Sequence, residues 1–140
     1  MAAKSLSPVG LDTSVVLRLL LAEPEAQANA AMNYLTQRRV EGAPPALVSD
    51  LVVSESFFAL QHHYAVPRAS ALAALRRLID DPYLQVSPAS VAVLQTSGAM
   101  AARPGFPDRI IHEQYRLQGS SFVTFDRHAG RLPGTILLGS

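Results

Sequence analysis

The amino-acid sequence predicts an α/β fold in which a mainly parallel β-sheet carries helices on both faces. Short apolar runs bounded by Gly, Pro, Asp or Ser recur along the chain, and longer segments with helical patterning lie between them. Strands that alternate with helices pair in parallel, because each helix returns the chain to the starting edge of the sheet. The chain has 140 residues, of which 49% are hydrophobic and 16% charged. We therefore expect a single domain with one core over residues 1–140.

The first half of the chain is predicted to contain two strands and three helices. Pro24 suits the first turn of a helix, where its missing N–H leaves no hydrogen bond unmade. The segment Gly42-Ala43-Pro44-Pro45 ends that helix, and Ser49 or Asp50 caps the next one. In order, we predict a strand at 9–11, a helix at about 14–22, a helix from 24 to about 40, a strand at 46–48 and a helix to about 65.

The second half continues the alternation. Val66-Pro67-Arg68 interrupts the helical pattern, Pro88 closes a short apolar run, and Gly119 is a common residue type at the end of a helix. In order, we predict a helix at 69–79, a strand at 84–86, a helix at 89–102, a helix from Pro107 to Gly119, a strand at 121–125, a helical turn at 127–131 and a strand at 135–138. This order of elements is typical of a parallel sheet.

The composition excludes several classes of protein. The chain has no cysteine, so disulfides and thiolate metal sites are excluded. No apolar segment approaches the roughly 18 residues that a membrane span needs, and residues 1–8 lack the apolar stretch of a signal peptide. We expect a cytoplasmic protein without membrane association. Eleven of the twelve basic residues are arginines, which suits phosphate binding, although taken alone this excess is better explained by a compositional bias toward alanine and arginine.

Four acidic residues lie in or against apolar sequence, namely Asp12, Glu55, Asp108 and Asp126. Asp12 and Asp126 follow predicted strands, at the sheet edge where open α/β folds bind ligands. Asp108 lies in the first turn of a predicted helix, where the helix dipole favours an anion. Glu55 lies about one turn into a helix that starts from the same edge. We expect Asp12 to be buried and all four carboxylates to converge on one cleft, although each alone is also compatible with a helix cap or an ion pair.

Such a cleft predicts a divalent metal site, because close carboxylates repel one another unless a cation lies between them. A ligand set made of oxygen atoms favours Mg²⁺ or Mn²⁺. The chemistry that fits is phosphodiester hydrolysis, in which the metal activates water and stabilises the leaving oxygen. With these four acids neutralised, twelve basic residues remain against seven acidic ones, and that surface suits a polyanion.

The ordered set of motifs resembles the PIN-domain ribonucleases, and in particular the VapC toxins of bacterial toxin–antitoxin pairs. The motifs are Gly10-Leu11-Asp12-Thr13-Ser14, Ser54-Glu55, Phe106-Pro107-Asp108-Arg109-Ile110-Ile111 and Val123-Thr124-Phe125-Asp126. The resemblance implies a three-layer sandwich with a central parallel sheet, and a Mg²⁺- or Mn²⁺-dependent endoribonuclease acting on RNA. It also implies a homodimer and a cognate antitoxin protein that blocks the site.

The same resemblance implies roles for individual residues. Asp12 and Asp108 are the expected main metal ligands, and Glu55 and Asp126 complete the catalytic acidic cluster. Ser14, or as a weaker alternative Thr13, is expected to hold a metal-bound water or a phosphate oxygen.

Several arginines follow the Asp108 and Asp126 segments. We expect Arg127 to contact the substrate, and Arg109, Arg116 and Arg131 could line an RNA path or simply face solvent. His112 could hydrogen-bond Asp108, with a surface pairing as the alternative.

The chain departs from the family pattern at two places. Many members carry an additional acid where this chain has Gly105, and another where it has Arg127 and His128. These losses argue against a second tightly held metal. They also leave open a PIN-like module that binds RNA or protein without cleaving. A receiver-type phosphoacceptor domain is the weakest alternative, because it expects a lysine late in the chain and the only lysine is Lys4.

Overall fold

The computed structural model describes residues 7–96 and 101–139. The chain divides into two compact units, residues 1–87 and residues 88–140, and each is described by itself. The expectation of a single domain stays a prediction.

The first unit contains four helices and a two-stranded parallel sheet over its described residues. Its elements are α1 (Thr13–Leu21), α2 (Glu25–Val40), β1 (Ala46–Val48), α3 (Asp50–His62), α4 (Arg68–Ile79) and β2 (Leu84–Val86). Pro24 is the N-cap of α2 rather than a residue of its first turn. The strands β1 and β2 have the bounds predicted for them.

The strand predicted at 9–11 is reduced to a single parallel bridge between Gly10 and Leu47. Leu47 N–H donates to the Val9 carbonyl over 2.8 Å, and Leu11 N–H donates to the Leu47 carbonyl over 2.9 Å. On its other side β1 pairs with β2 in parallel, with Ala46 opposite Leu84. The segment before α1 therefore follows β1 and delivers Asp12 to the start of α1.

Helix α3 begins at a capped N-terminus. The side chain of Ser49 accepts a hydrogen bond from Val52 N–H over 3.2 Å, so Ser49 is the cap and Asp50 is the first helical residue. Val53, Phe57 and Leu60 are buried at helical spacing. This apolar stripe fixes the rotation of α3.

The second unit contains the remaining elements. They are α5 (Pro88–Leu94), α6 (Phe106–Leu117), β3 (Phe122–Thr124), a short 3₁₀ turn (Ala129–Arg131) and β4 (Thr135–Leu137). The strands β3 and β4 pair in parallel, with Phe122 opposite Thr135. Parallel pairing in both units confirms the predicted α/β class, although the strands form two short ladders, one in each unit, over the described residues.

The helix predicted at 89–102 is wrong at both ends. It begins one residue earlier, at Pro88, because proline is tolerated at the start of a helix, and it ends at Leu94. Ala101 and Ala102 are not helical, and residues 97–100 of that prediction lie outside the described residues.

Over the residues described, the structure contains no helix with the length and apolar character needed to cross a membrane.

Candidate functional site

Asp12 is exposed at the N-cap of α1, so the expectation that it is buried is wrong. The backbone before α1 is extended, and successive side chains there point to opposite sides, so Leu11 enters the core and Asp12 faces solvent. Ser14 Oγ donates a hydrogen bond to Asp12 Oδ2 over 2.8 Å. This bond lowers the pKa of the Asp12 carboxyl below its ordinary value, and the backbone N–H groups of Ser14 and Thr13 lower it further. Asp12 is therefore a carboxylate at neutral pH.

Glu55 is joined to the same site by Thr13. Thr13 Oγ1 donates to Glu55 Oε1 over 2.7 Å, and the two residues are 42 positions apart in the sequence. Glu55 is exposed on α3, and Thr13 is the first residue of α1. We call Asp12, Thr13, Ser14 and Glu55 the Asp12 cluster. Its Thr13–Glu55 bond links Glu55 to the start of α1 within the first unit, and the prediction that Asp12 and Glu55 act as one site stays a prediction.

The donor chemistry of the Asp12 cluster fits a hard divalent cation. Its side chains offer two carboxylates and two hydroxyls, all of them oxygen donors. Mg²⁺ is commonly held by one or two carboxylates together with waters and substrate phosphates, so two are sufficient. Neither unit, over residues 7–96 and 101–139, gathers three or more His, Asp or Glu side chains into a group that could hold a metal.

Asp108 and Asp126 both belong to the second unit. Asp108 is half-buried in the first turn of α6, as predicted. Asp126 is exposed after β3, and its Oδ1 accepts a hydrogen bond from Ala129 N–H over 2.9 Å. That bond lowers the pKa of Asp126, and the neighbouring charges of His128 and Arg103 also lower it. Asp126 therefore stabilises the turn after β3 as well as being a candidate ligand.

Two of the four predicted carboxylates thus lie in each unit. The structure links the pair in the first unit through Thr13. The convergence of all four on one cleft stays a prediction, as do the metal-binding roles of each.

The predicted substrate contacts have different surroundings. Ser14 donates its hydroxyl proton to Asp12, so its oxygen presents lone pairs to any further ligand. Arg127 is exposed beside Asp126, and its contact with substrate stays a prediction.

His112 forms neither the hydrogen bond to Asp108 nor the surface pairing that the sequence suggested. It is buried, with 9% of its surface exposed, and its Nε2 lies 2.6 Å from the Pro133 carbonyl oxygen. A buried ring nitrogen satisfied by a backbone carbonyl is a structural contact. It ties α6 to the segment that enters β4.

Two of the arginines considered for an RNA path have intramolecular partners instead. The guanidinium of Arg109 donates to the carbonyls of Pro104 and Ala101 over 3.0 and 3.2 Å, and so holds the loop before α6. Arg116 forms an ion pair with Glu113, one turn earlier on α6.

The structure adds a feature that sequence reasoning missed. A cleft of about 690 Å³ opens beside the Asp12 cluster, between α1 and α2. Arg18, Gln27 and Tyr34 line it. Gln27 and Tyr34 are seven residues apart and therefore share a face of α2, which was the available signal in the sequence.

Comparison with known proteins gives one match. The family model of the PIN domain matches residues 9–134, which is most of the chain. No curated protein and no solved structure matches it.

Proposed function

The chain belongs to the PIN domain family, and on that premise we propose that it is a Mg²⁺- or Mn²⁺-dependent endoribonuclease and the toxin of a type II toxin–antitoxin pair. PIN domains are generally metal-dependent nucleases. The single observation that carries the proposal for this chain is the Asp12 cluster, in which two carboxylates are held by hydroxyl groups at the N-terminus of α1.

In this proposal Asp12 and Asp108 would be the main ligands of the divalent cation, and Glu55 and Asp126 would complete the acidic cluster. The cation, when bound, polarises the phosphodiester and stabilises the negative charge that develops on the leaving oxygen. Ser14 orients Asp12 through its hydrogen bond to Oδ2, and Thr13 orients Glu55 through its hydrogen bond to Oε1.

RNA, an antitoxin protein and a second copy of the chain are the proposed partners, with the cytoplasm as the proposed location. The excess of arginine over lysine supports a phosphate-bearing substrate. The toxin assignment and the homodimer rest on the resemblance of the ordered motifs to the VapC group.

Cleavage of RNA by the purified chain tests the enzymatic proposal. We expect cleavage with Mg²⁺ or Mn²⁺ that stops on addition of EDTA and that is lost in Asp12→Ala and Asp108→Ala while the circular dichroism spectrum is retained. Glu41→Gln is the matched control, because Glu41 is an exposed carboxylate at the end of α2 and outside the site. Cleavage unaffected by both aspartate substitutions would refute the proposal.

Expression in bacteria tests the toxin assignment. We expect growth arrest on induction of the wild-type chain and normal growth on induction of Asp12→Ala at equal protein levels. Arrest by both proteins, or by neither, contradicts a toxin that acts through this site.

A module that binds RNA or protein without cleaving is the second candidate. Arg127, His128 and Gly105 favour it, because they stand where many family members have acids. Calorimetry separates the two candidates: RNA binding without any Mg²⁺ or Mn²⁺ binding indicates the module. A receiver-type domain has no support, because the PIN domain model matches residues 9–134 and the only lysine is Lys4, far from the late position that a receiver domain needs.

A further inference from the structure

We propose that the cleft between α1 and α2 binds one nucleotide of single-stranded RNA, with its phosphate on Arg18 and its base against Tyr34. This subsite deepens the proposed ribonuclease function and rests on it. It would place the nucleotide next to the Asp12 cluster, and so would position the neighbouring phosphodiester for cleavage.

The cleft has the size and the position that a nucleotide subsite needs. Its volume of about 690 Å³ lies within the range of roughly 300–1,000 Å³ typical of small-ligand pockets. Asp12 and Ser14 form part of its wall, so it is continuous with the Asp12 cluster. Val15, Arg18, Gln27, Ala30, Ala31 and Tyr34 also line it.

Arg18 lines the cleft and is the cation of the proposed subsite. Its Nε donates to Gln27 Oε1 over 2.6 Å, which ties the side chain from α1 to α2. The two terminal amino groups have no hydrogen-bond partner among the described residues, so they remain as paired donors. A planar guanidinium that is already held in place loses less freedom on binding a phosphate, and it can bind two oxygens at once.

Tyr34 supplies the surface for a base. The residue is 49% exposed and lines the cleft. Arg38 lies 6.0 Å from the centre of the ring and helps to hold it. Proteins bind single-stranded nucleic acids by combining cationic groups along the backbone with aromatic rings on which bases stack.

The small apolar side chains around Tyr34 complete the base site. Ala30 and Ala31 lie on the same stretch of α2 and leave room above the helix, and Val15 faces them from α1. A cation, an aromatic ring and an apolar wall together match a nucleotide better than an extended peptide, whose backbone needs a row of hydrogen-bonding partners.

Binding of a short fluorescein-labelled single-stranded RNA, followed by anisotropy in EDTA so that no cleavage occurs, tests the subsite. We expect Arg18→Gln to weaken binding about tenfold and to reduce the salt-dependence slope by about 0.7, the value for one phosphate contact on a single strand. We expect Tyr34→Leu to weaken binding about tenfold and Tyr34→Phe to preserve it, because stacking needs the ring and not the hydroxyl.

Arg77→Gln is the matched control, since Arg77 is an exposed arginine on α4 and lies outside the cleft. Thermal melting shows that each variant is folded. Wild-type affinity in Arg18→Gln and Tyr34→Leu, in a protein that still cleaves RNA, overturns the subsite and leaves the ribonuclease proposal standing. An equal loss of RNA affinity in Arg77→Gln also overturns the subsite. The subsite is overturned as well if Arg18→Gln weakens binding of a protein ligand and leaves RNA binding unchanged. A chain that neither binds nor cleaves RNA refutes both proposals.

Discussion

Thr13 and Glu55 are joined by a hydrogen bond of 2.7 Å between the Thr13 hydroxyl and the Glu55 carboxylate. The bond connects the first turn of α1 with α3, and so links the segment that carries Asp12 to the helix that carries Glu55. Because Thr13 acts on Glu55 and offers no charge itself, we regard it as a positioning residue.

Thr13→Val tests this relationship, since valine has the shape of threonine without the hydroxyl donor. We expect Mn²⁺ affinity, measured by calorimetry, to fall about tenfold, which is the usual cost of removing a partner that orients a metal ligand. Thr13→Ser keeps the donor and is expected to retain the affinity. The melting temperature should change little in either variant because the bond is exposed. Equal metal affinity in the valine and serine variants would show that the bond has no positioning role.

Ser14→Ala is expected to raise the pKa of Asp12 towards its ordinary value, because the Ser14 hydroxyl is the main cause of its depression. A carboxyl whose pKa is lowered by folding stabilises the folded state above its unfolded pKa, near 3.9, and that stabilisation is lost as the pH falls through the lower folded pKa. We therefore expect the wild-type chain to be more stable than Ser14→Ala at neutral pH, and we expect this advantage to disappear as the pH falls below about 4.

Titration of the Asp12 carboxyl by carbon-detected NMR measures this shift directly. Ser14→Thr keeps the hydroxyl and serves as the control. An identical Asp12 titration in the wild type and in Ser14→Ala would refute the assignment of the shift to this bond.

Ser49→Ala is expected to lower the free energy of unfolding by about 1 kcal/mol, because it removes the side chain that caps α3. Ser49→Asp retains a capping oxygen and should be close to the wild type in urea denaturation. Ser70→Ala, at an exposed position on α4, provides the control. If the alanine and aspartate variants of Ser49 lose the same stability, capping is not what Ser49 contributes.

His112→Phe is expected to destabilise the chain by about 1–3 kcal/mol, because it leaves the Pro133 carbonyl without its partner next to a buried side chain. His62→Phe changes an exposed histidine and should have little effect on urea denaturation. Retained stability in His112→Phe would indicate that the ring does not hold the segment before β4. A loss of Mn²⁺ affinity without a loss of stability would instead indicate that His112 acts on Asp108.

Many secondary-structure elements could be predicted from local sequence. The strands 46–48 and 84–86 are confirmed without change, because each is a short apolar run next to prolines or other turn residues. The helix expected to reach residue 102 ends at Leu94. The sequence carries a signal for an earlier end that the prediction passed over, because Ser97-Gly98 is a dipeptide typical of turns.

The sequence by itself determined the chemistry of the candidate site and the order of its motifs. It placed Asp12 between a strand and a helix, and Glu55 within another helix, because strand and helix patterns are local. The tertiary structure alone decided that Asp12 is exposed, that Thr13 pairs with Glu55, and that His112 pairs with the Pro133 carbonyl. It also opened the cleft that Arg18 and Tyr34 share. These contacts join residues that are far apart in the chain, so local sequence patterns do not encode them. The direction of a side chain at the end of a helix or strand also depends on how whole elements pack against one another.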